Sequence, residues 1–237
     1  MEREDLVKAP TPEEVRAKID TLRQNRGYVL PHHGALAAGA PALHDAYLRM
    51  YRELTLEERH LDPLRKEFVW LMILVAVKEE IGTHHLKLFF EAGGSDELAQ
   101  VAFRLAGYAG ATSVFPFVET HWSDFFSTPA DKGYEQGLQG LIGGRIDRSL
   151  ADLGLCGLYA ATRNHWGLAH HLVAANRNGA RDVEVLEALT LIMWPVGINA
   201  FVEACTLWRE LSVAGKITLS PVFKAWAETP DQGALGR

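Results

Sequence analysis

Lys78–Gly94 reads KEEIGTHHLKLFFEAGG, and Asn164–Gly179 reads NHWGLAHHLVAANRNG. In both stretches a His-His pair begins an amphipathic segment, and a glycine follows the second histidine by eight positions. Each copy then runs through apolar sequence to a Phe-Val-Glu triplet, at 117–119 and at 201–203. A repeat of this length, with reactive side chains at the repeated positions, predicts two similar half-sites within one chain.

Composition and charge limit the classes of function. The chain has 237 residues, is 48% hydrophobic and can bury a substantial core. Its formal net charge of −6 argues against nucleic acid or an anionic membrane as a partner. Cys156 and Cys205 form neither a disulfide framework nor a CxxC pair, which is typical of a reducing compartment. The charged N-terminus lacks a secretory core, and the apolar run 68–77 is too short for a span, so we expect a cytoplasmic protein.

Nearly the whole chain has the pattern of helices. The predicted segments are a helix from Thr11 to about Asn25, a loop over 27–41 that carries His32 and His33, a helix over 42–54, and a helix over 64–79 that is apolar nearly all round. Pro195 predicts a break in the helix that would otherwise cover 191–200. Because there is no Asn-Gly turn and no sustained period-two run, the predicted fold class is all-α.

A longer motif around the first copy resembles a known family. Residues 61–69 (LDPLRKEFV), His85 with Gly93 after it, and residues 105–110 (LAGYAG) look like the carboxymuconolactone decarboxylase family. That family shares its helical fold with the alkylhydroperoxidase D-like proteins. The match covers 61–111 well and 147–203 more loosely. The resemblance implies two fused repeats of this fold that form a pseudo-dimer.

The resemblance also divides the chain. It implies N-terminal helices over 1–60, a first repeat over 61–126, a second repeat over 134–215 and a C-terminal tail over 216–237, with 127–133 as the connection. Family members are usually single-repeat chains that assemble into rings. The resemblance therefore implies a homo-oligomer, specifically a trimer of two-repeat chains.

The peroxidase branch of the family is excluded by missing cysteines. That branch places a Cys-x-x-Cys pair just ahead of the histidine, where this chain has Lys78 and Ile81 in the first copy and Asn164 and Gly167 in the second. None of these residues replaces a thiolate nucleophile. The decarboxylase branch works without a cofactor, so the resemblance implies a cofactor-independent lyase or isomerase that acts on a small carboxylated lactone or oxo acid.

The chemistry of decarboxylation suggests roles for the family-equivalent residues. Electrons left by the departing CO2 flow into a carbonyl, so a donor must stabilise the enolate and an acid must protonate carbon. Glu67 and His85 match the family positions, and His171 matches the histidine in the second copy. Asp152 falls nearest the second glutamate position, after a shift of one residue, so we expect the first repeat to dominate. We also expect substrate contacts from His84, His165, Trp166, His170 and Tyr108.

Two alternatives remain open from the sequence. The chain is a non-catalytic scaffold or ligand-binding relative if it kept the fold and lost the chemistry. It is a metal-dependent enzyme if histidines from several helices converge, although no helix carries the His-x-x-x-His spacing of a ligand pair. We expect neither a metal nor a cofactor, and we expect a small-molecule substrate.

Overall fold

The computed structural model describes residues 9–232, and this part of the chain is all-α, without a β-strand. The α-helices are α1 (Pro12–Arg26), α2 (Pro31–Gly39), α3 (Pro41–Tyr51), α4 (Pro63–Val77), α5 (His84–Glu91), α6 (Asp96–Gly110), α7 (Val114–Trp122), α8 (Ala130–Ile142), α9 (Arg148–Ala161), α10 (His165–Arg177), α11 (Asp182–Thr190), α12 (Ile198–Val213) and α13 (Pro221–Glu228). One π-helical turn, Arg52–Leu56, and 3-10 turns at Glu80–Thr83, Ser123–Phe125 and Leu191–Met193 join them. The predicted all-α class is confirmed.

The chain divides into two compact units, Met1–Glu57 and Glu58–Arg237. In the first unit, α1 begins at a capping box, in which the Thr11 hydroxyl accepts from the Glu14 backbone N–H and the Glu14 carboxylate accepts from the Thr11 N–H. This helix ends at Gly27, which adopts the left-handed conformation (φ 76°) that glycine tolerates. Both ends lie within two residues of those read from the sequence.

The loop predicted over 27–41 is wrong, because most of it forms helix α2. Pro31 occupies the first turn, where the missing N–H is no loss. His33 Nδ1 accepts a hydrogen bond from the Leu30 N–H at 3.1 Å. The imidazole thus takes the place that a glutamate carboxylate has in a capping box. His32 and His33 therefore lie on a helix, and His33 is buried.

The second unit is built around α4 and α9, which pack against each other. Asp62 and Asp147 cap the two helices, each accepting from the backbone N–H three residues on, at 3.0 and 2.7 Å. From Phe68 to Ile73, every residue of α4 is nearly inaccessible, as its all-round apolar pattern predicts. Helix α5 packs on α4, and α10 packs on α9. The core of the unit therefore lies along the α4–α9 contact.

The helix break predicted at Pro195 is confirmed. A 3-10 turn over Leu191–Met193 follows α11, and α12 starts only at Ile198, after Gly197 at φ 89°. No single helix of the described residues is long and apolar enough to cross a bilayer, although the bent pair Asp96–Gly110 and Val114–Phe125 meets the length and composition test together.

Candidate active site

The first histidine–carboxylate pair joins α4 to α5. Nδ1 of His85 lies 2.7 Å from Oε2 of Glu67, and both residues are only 2% exposed. The indole of Trp70 stacks on the imidazole, with ring centroids 4.1 Å apart and planes inclined by 19°. Within the described residues, Nδ1 is the only nitrogen of His85 that makes a hydrogen bond. The geometry fixes the ring and leaves Nε2 without a hydrogen-bond partner among residues 9–232.

His84 occupies a different environment, as its position in the helix predicts. Neighbouring residues diverge by about 100° around an α-helix, and His84 is half-buried whereas His85 is buried. The two imidazole centroids are 4.2 Å apart. His84 therefore stays within reach of the pair without being part of it.

An open cavity of about 260 Å³ lies among α4, the 3-10 turn that follows it and α5. Its apolar wall includes Leu71, one helical turn after Glu67, and Leu86, which directly follows His85. Its rim carries the charged residues Lys78, Glu79 and Glu80. The volume equals that of roughly nine liquid waters, so a small organic acid fits. His85 and Glu67 are not among the residues that line it.

The second histidine–carboxylate pair joins α9 to α10. Nδ1 of His171 lies 2.8 Å from Oδ1 of Asp152, and both side chains are fully buried. Asp152 also accepts from Nε of Arg148 and, at 2.7 Å, from the amide of Asn178. Asp152, which lies one residue out of register with Glu67 in the sequence, therefore supplies the carboxylate of the second pair. The pair spans 19 positions instead of the 18 that separate Glu67 from His85, and the extra residue lies between Arg163 and His171, because Lys78 and Arg163 are each 11 positions after the carboxylate.

Two buried tyrosines continue the second pair. The Tyr134 hydroxyl lies 2.6 Å from Nε2 of His171 and 3.0 Å from the Tyr159 hydroxyl. Burial lowers the pKa of His171 despite the opposing effect of Asp152, so the imidazole is neutral near neutral pH. Its Nδ1–H then donates to Asp152, and Nε2 accepts from the Tyr134 hydroxyl. Burial raises the pKa of Tyr134 far above its usual range, so that hydroxyl keeps its proton.

A half-exposed polar cluster lies next to the tyrosines. Glu135 accepts two hydrogen bonds from the Arg148 guanidinium, at 2.7 and 2.9 Å, and a third contact comes from Nε2 of His170. Burial works against ionisation of Glu135, but the bonds from His170 and Arg148 outweigh it and lower the pKa of the carboxyl. Glu135 is therefore ionised and accepts from both terminal nitrogens of Arg148, while Nε of the same guanidinium donates to Asp152.

Three of the predicted substrate-binding residues converge around Tyr134. Tyr108 stacks on the Tyr134 ring at 5.4 Å, and Trp166 and His170 approach it at 5.3 and 5.2 Å. The Trp166 indole N–H also donates to Glu119 at 2.6 Å. Together with Tyr134 on α8, these residues come from three helices, so their convergence is a property of the tertiary structure.

His165 does not join this cluster. Its side chain is 61% exposed and its Nε2 lies 3.9 Å from Glu203, which pairs more closely with Arg163 at 3.2 Å. Within residues 9–232, no group of three or more His, Cys, Asp or Glu side chains is arranged to hold a metal ion.

The second histidine–carboxylate pair, the two tyrosines and the polar cluster form what we call the second network. Several of its residues were not predicted from the sequence. They are Tyr134, Glu135, Tyr159 and Asn178. The only available signal was the i, i+4 spacing of Tyr134, Leu138 and Ile142, which places the tyrosine on the buried face of α8.

Comparison with known proteins gives one informative likeness. A solved structure from Burkholderia xenovorans LB400, provisionally assigned as a gamma-carboxymuconolactone decarboxylase subunit, superposes with a TM-score of 0.55 at 19% identity. The superposition covers 87% of this chain and all of that one. This chain shares that fold. The sequence matches no protein-family model and no curated protein. At this identity the likeness concerns the fold alone, and it agrees with the family resemblance read from the motifs.

Proposed function

We propose that this protein is a cofactor-independent enzyme that decarboxylates or isomerises a small carboxylated lactone or oxo acid. The observation that carries the proposal is a buried imidazole held at Nδ1 by a carboxylate from the neighbouring long helix, at 2.7 Å for His85 and 2.8 Å for His171. An imidazole fixed in this way presents Nε2 as a positioned acid or base.

We also infer that residues 61–126 and 134–215 are two copies of one unit. The pairs 67/85 and 152/171 join equivalent helices, and the helices begin at equivalent aspartate caps. The two helices end alike, because Lys78 and Arg163 both adopt the left-handed conformation, at φ 58° and 54°. Gly93 and Gly179 follow α5 and α10 with φ of 92° and 84°. Two copies of one unit within a chain would form a pseudo-dimer.

The chemistry assigned to the first pair uses only its own atoms. With Glu67 ionised, Nδ1–H of His85 donates to the carboxylate, and Nε2 is free to accept a proton. In an isomerisation, Nε2 takes a proton from the carbon next to the carbonyl and returns it elsewhere on the enolate. In a decarboxylation, the imidazolium protonates the carbon that has lost CO2. Glu67 stabilises the imidazolium in both cases.

We expect the first pair to dominate turnover. Nε2 of His171 is occupied by the Tyr134 hydroxyl, so a substrate would have to exchange protons through the tyrosine. Nε2 of His85 has no such partner among the described residues, and a cavity of about 260 Å³ lies next to its helix. His171 and Asp152 are then positioning residues or a slower second site.

The experiment begins with gamma-carboxymuconolactone, the compound in the name of the fold neighbour, and adds β-oxo acids of similar size. CO2 release and deuterium incorporation from D2O are measured together, because the second detects isomerisation without decarboxylation. We expect His85→Ala and Glu67→Gln each to lower kcat by roughly 10²–10⁴, the contribution of an acid–base group. His84→Ala is the matched control and should lose less, because its side chain points elsewhere.

Full turnover by folded His85→Ala would contradict the assignment of the catalytic histidine. One observation favours a second candidate, a ligand-binding protein without catalysis: neither histidine lines the cavity. That candidate predicts binding of the organic acids, seen as a rise in melting temperature, with no turnover and no loss of binding in His85→Ala.

A further inference from the structure

Helix α7 and the 3-10 turn that follows it carry an aromatic face that the described residues of the second unit leave exposed. None of the residues of α7 is buried. The face consists of Val114, Phe117, Trp122, Phe125 and Phe126, whose exposed fractions are 56%, 48%, 47%, 80% and 59%. Phe117 and Trp122 also contact each other, with ring centroids 5.0 Å apart. We call this set the α7 face.

Phe115 and Glu119 anchor α7 to the rest of the unit. The Phe115 ring lies 5.5 Å from Tyr134 and 6.2 Å from Trp166, and Glu119 accepts from the Trp166 indole at 2.6 Å. A helix of nine residues is too short to be stable by itself in water, so these contacts hold it in place. The α7 face is thus the outer side of a helix whose position is already fixed.

We propose that a second copy of this chain covers the α7 face, so that the face is where the chains of a homo-oligomer meet. The exposed aromatic surface area of the α7 face supports this proposal. An aromatic side chain offers about 150–250 Å² of surface, so four rings exposed by half to four-fifths leave roughly 500 Å² of aromatic surface on each chain. Two such faces in contact remove roughly 1,000 Å² before Val114 and the surrounding residues are counted, which is the size of a specific interface.

The composition and charge of residues 114–126 also support this proposal. Aromatic residues without charge are typical of the centre of a protein–protein interface. Residues 114–126 contain no lysine or arginine, and their charged residues, Glu119 and Asp124, are acidic. With a net charge of −6, the chain offers nothing here to attract an anionic bilayer or a nucleic acid. A face that is apolar and lacks basic residues therefore fits another copy of itself better than it fits an anionic bilayer or a nucleic acid.

The test measures association of the full chain by light scattering over concentrations up to about 100 µM, compared with Phe117→Glu and Phe125→Glu. The matched control is Val222→Glu, which places the same charge at a 78% exposed apolar residue on α13, outside the α7 face. We expect the unaltered chain to have a mass at least twice 26.3 kDa. Each α7 variant should raise the dissociation constant by about 100-fold or more, and the control should change it less than about threefold.

Several outcomes would overturn the proposal. One is a monomer at every concentration, and another is an oligomer that both α7 variants leave intact. A monomer that sediments with phosphatidylcholine vesicles, and loses that binding in Phe125→Glu, would assign the face to a lipid surface instead. Because Phe125 is 80% exposed, its substitution should not unfold the chain, and circular dichroism confirms this for each variant. None of these outcomes depends on catalytic activity, so they are separate from the test of the proposed function.

Discussion

Replacing Asp152 by asparagine tests the second network, and the structure sets the size of the effect. Asp152 is fully buried, and each of its oxygens accepts from two donors: Oδ1 from His171 and Arg148, and Oδ2 from Asn178 and Arg148. Asparagine puts an NH2 group in place of one oxygen, so either His171 or Asn178 loses its acceptor, while Nε of Arg148 keeps the other oxygen. One unsatisfied donor costs about 1–3 kcal/mol. We expect Asp152→Asn to lower the free energy of unfolding by about 1–3 kcal/mol.

The assay exploits the distribution of tryptophan. All six tryptophans lie beyond residue 57, so their fluorescence in urea reports unfolding of the second compact unit alone. The matched control is Asp147→Asn, at the exposed cap of the same helix, where the aspartate also pairs with Arg65 at 2.9 Å. Asparagine caps a helix as well as aspartate does, and an exposed ion pair contributes at most about 1 kcal/mol. If the two variants lose the same stability, the buried network does not stabilise the unit as the geometry requires.

Two further predictions concern acidity and thiols. Burial, reinforced by His32 and Arg26, lowers the pKa of His33 to about 4, whereas an unfolded histidine titrates near 6.5. The stability that neutral His33 contributes is fully present above pH 6.5, the pKa of the unfolded state, and is lost as the pH falls toward 4. Amide-exchange protection over 31–44 should therefore decrease in this pH window. The decrease should be smaller in His33→Gln. Burial raises the pKa of Cys156 well above its usual value and that of Cys205 to about 11, so the double variant Cys156→Ala, Cys205→Ala should keep its turnover. A loss of more than about tenfold in a folded double variant would revive a thiol mechanism.

Local sequence signals were enough to predict α1, α3 and α4 and the break before α12. Thr11 with Glu14, and Pro63, announce helix starts that depend on neighbouring residues only. Pro195 interrupts a helix that would otherwise continue through it, because a proline in the interior lacks the N–H that the helix needs. Helix α2 was missed because its start uses His33 in place of a capping carboxylate, and no propensity rule includes that substitution.

The sequence by itself determined that this chain is all-α, that it repeats a His-His segment, and that Glu67 and His85 belong together through a family resemblance. Only the tertiary structure decided that Asp152 reaches His171. It also decided that Tyr134, Glu135 and Arg148 lie around His170 and His171. The physical reason is the range of the interactions. Caps and apolar periodicity act within a few residues, whereas the hydrogen bonds of the second network, apart from the one between Arg148 and Asp152 within α9, join side chains from different elements. Whether such side chains meet depends on how the helices pack and on the length of the segment between them.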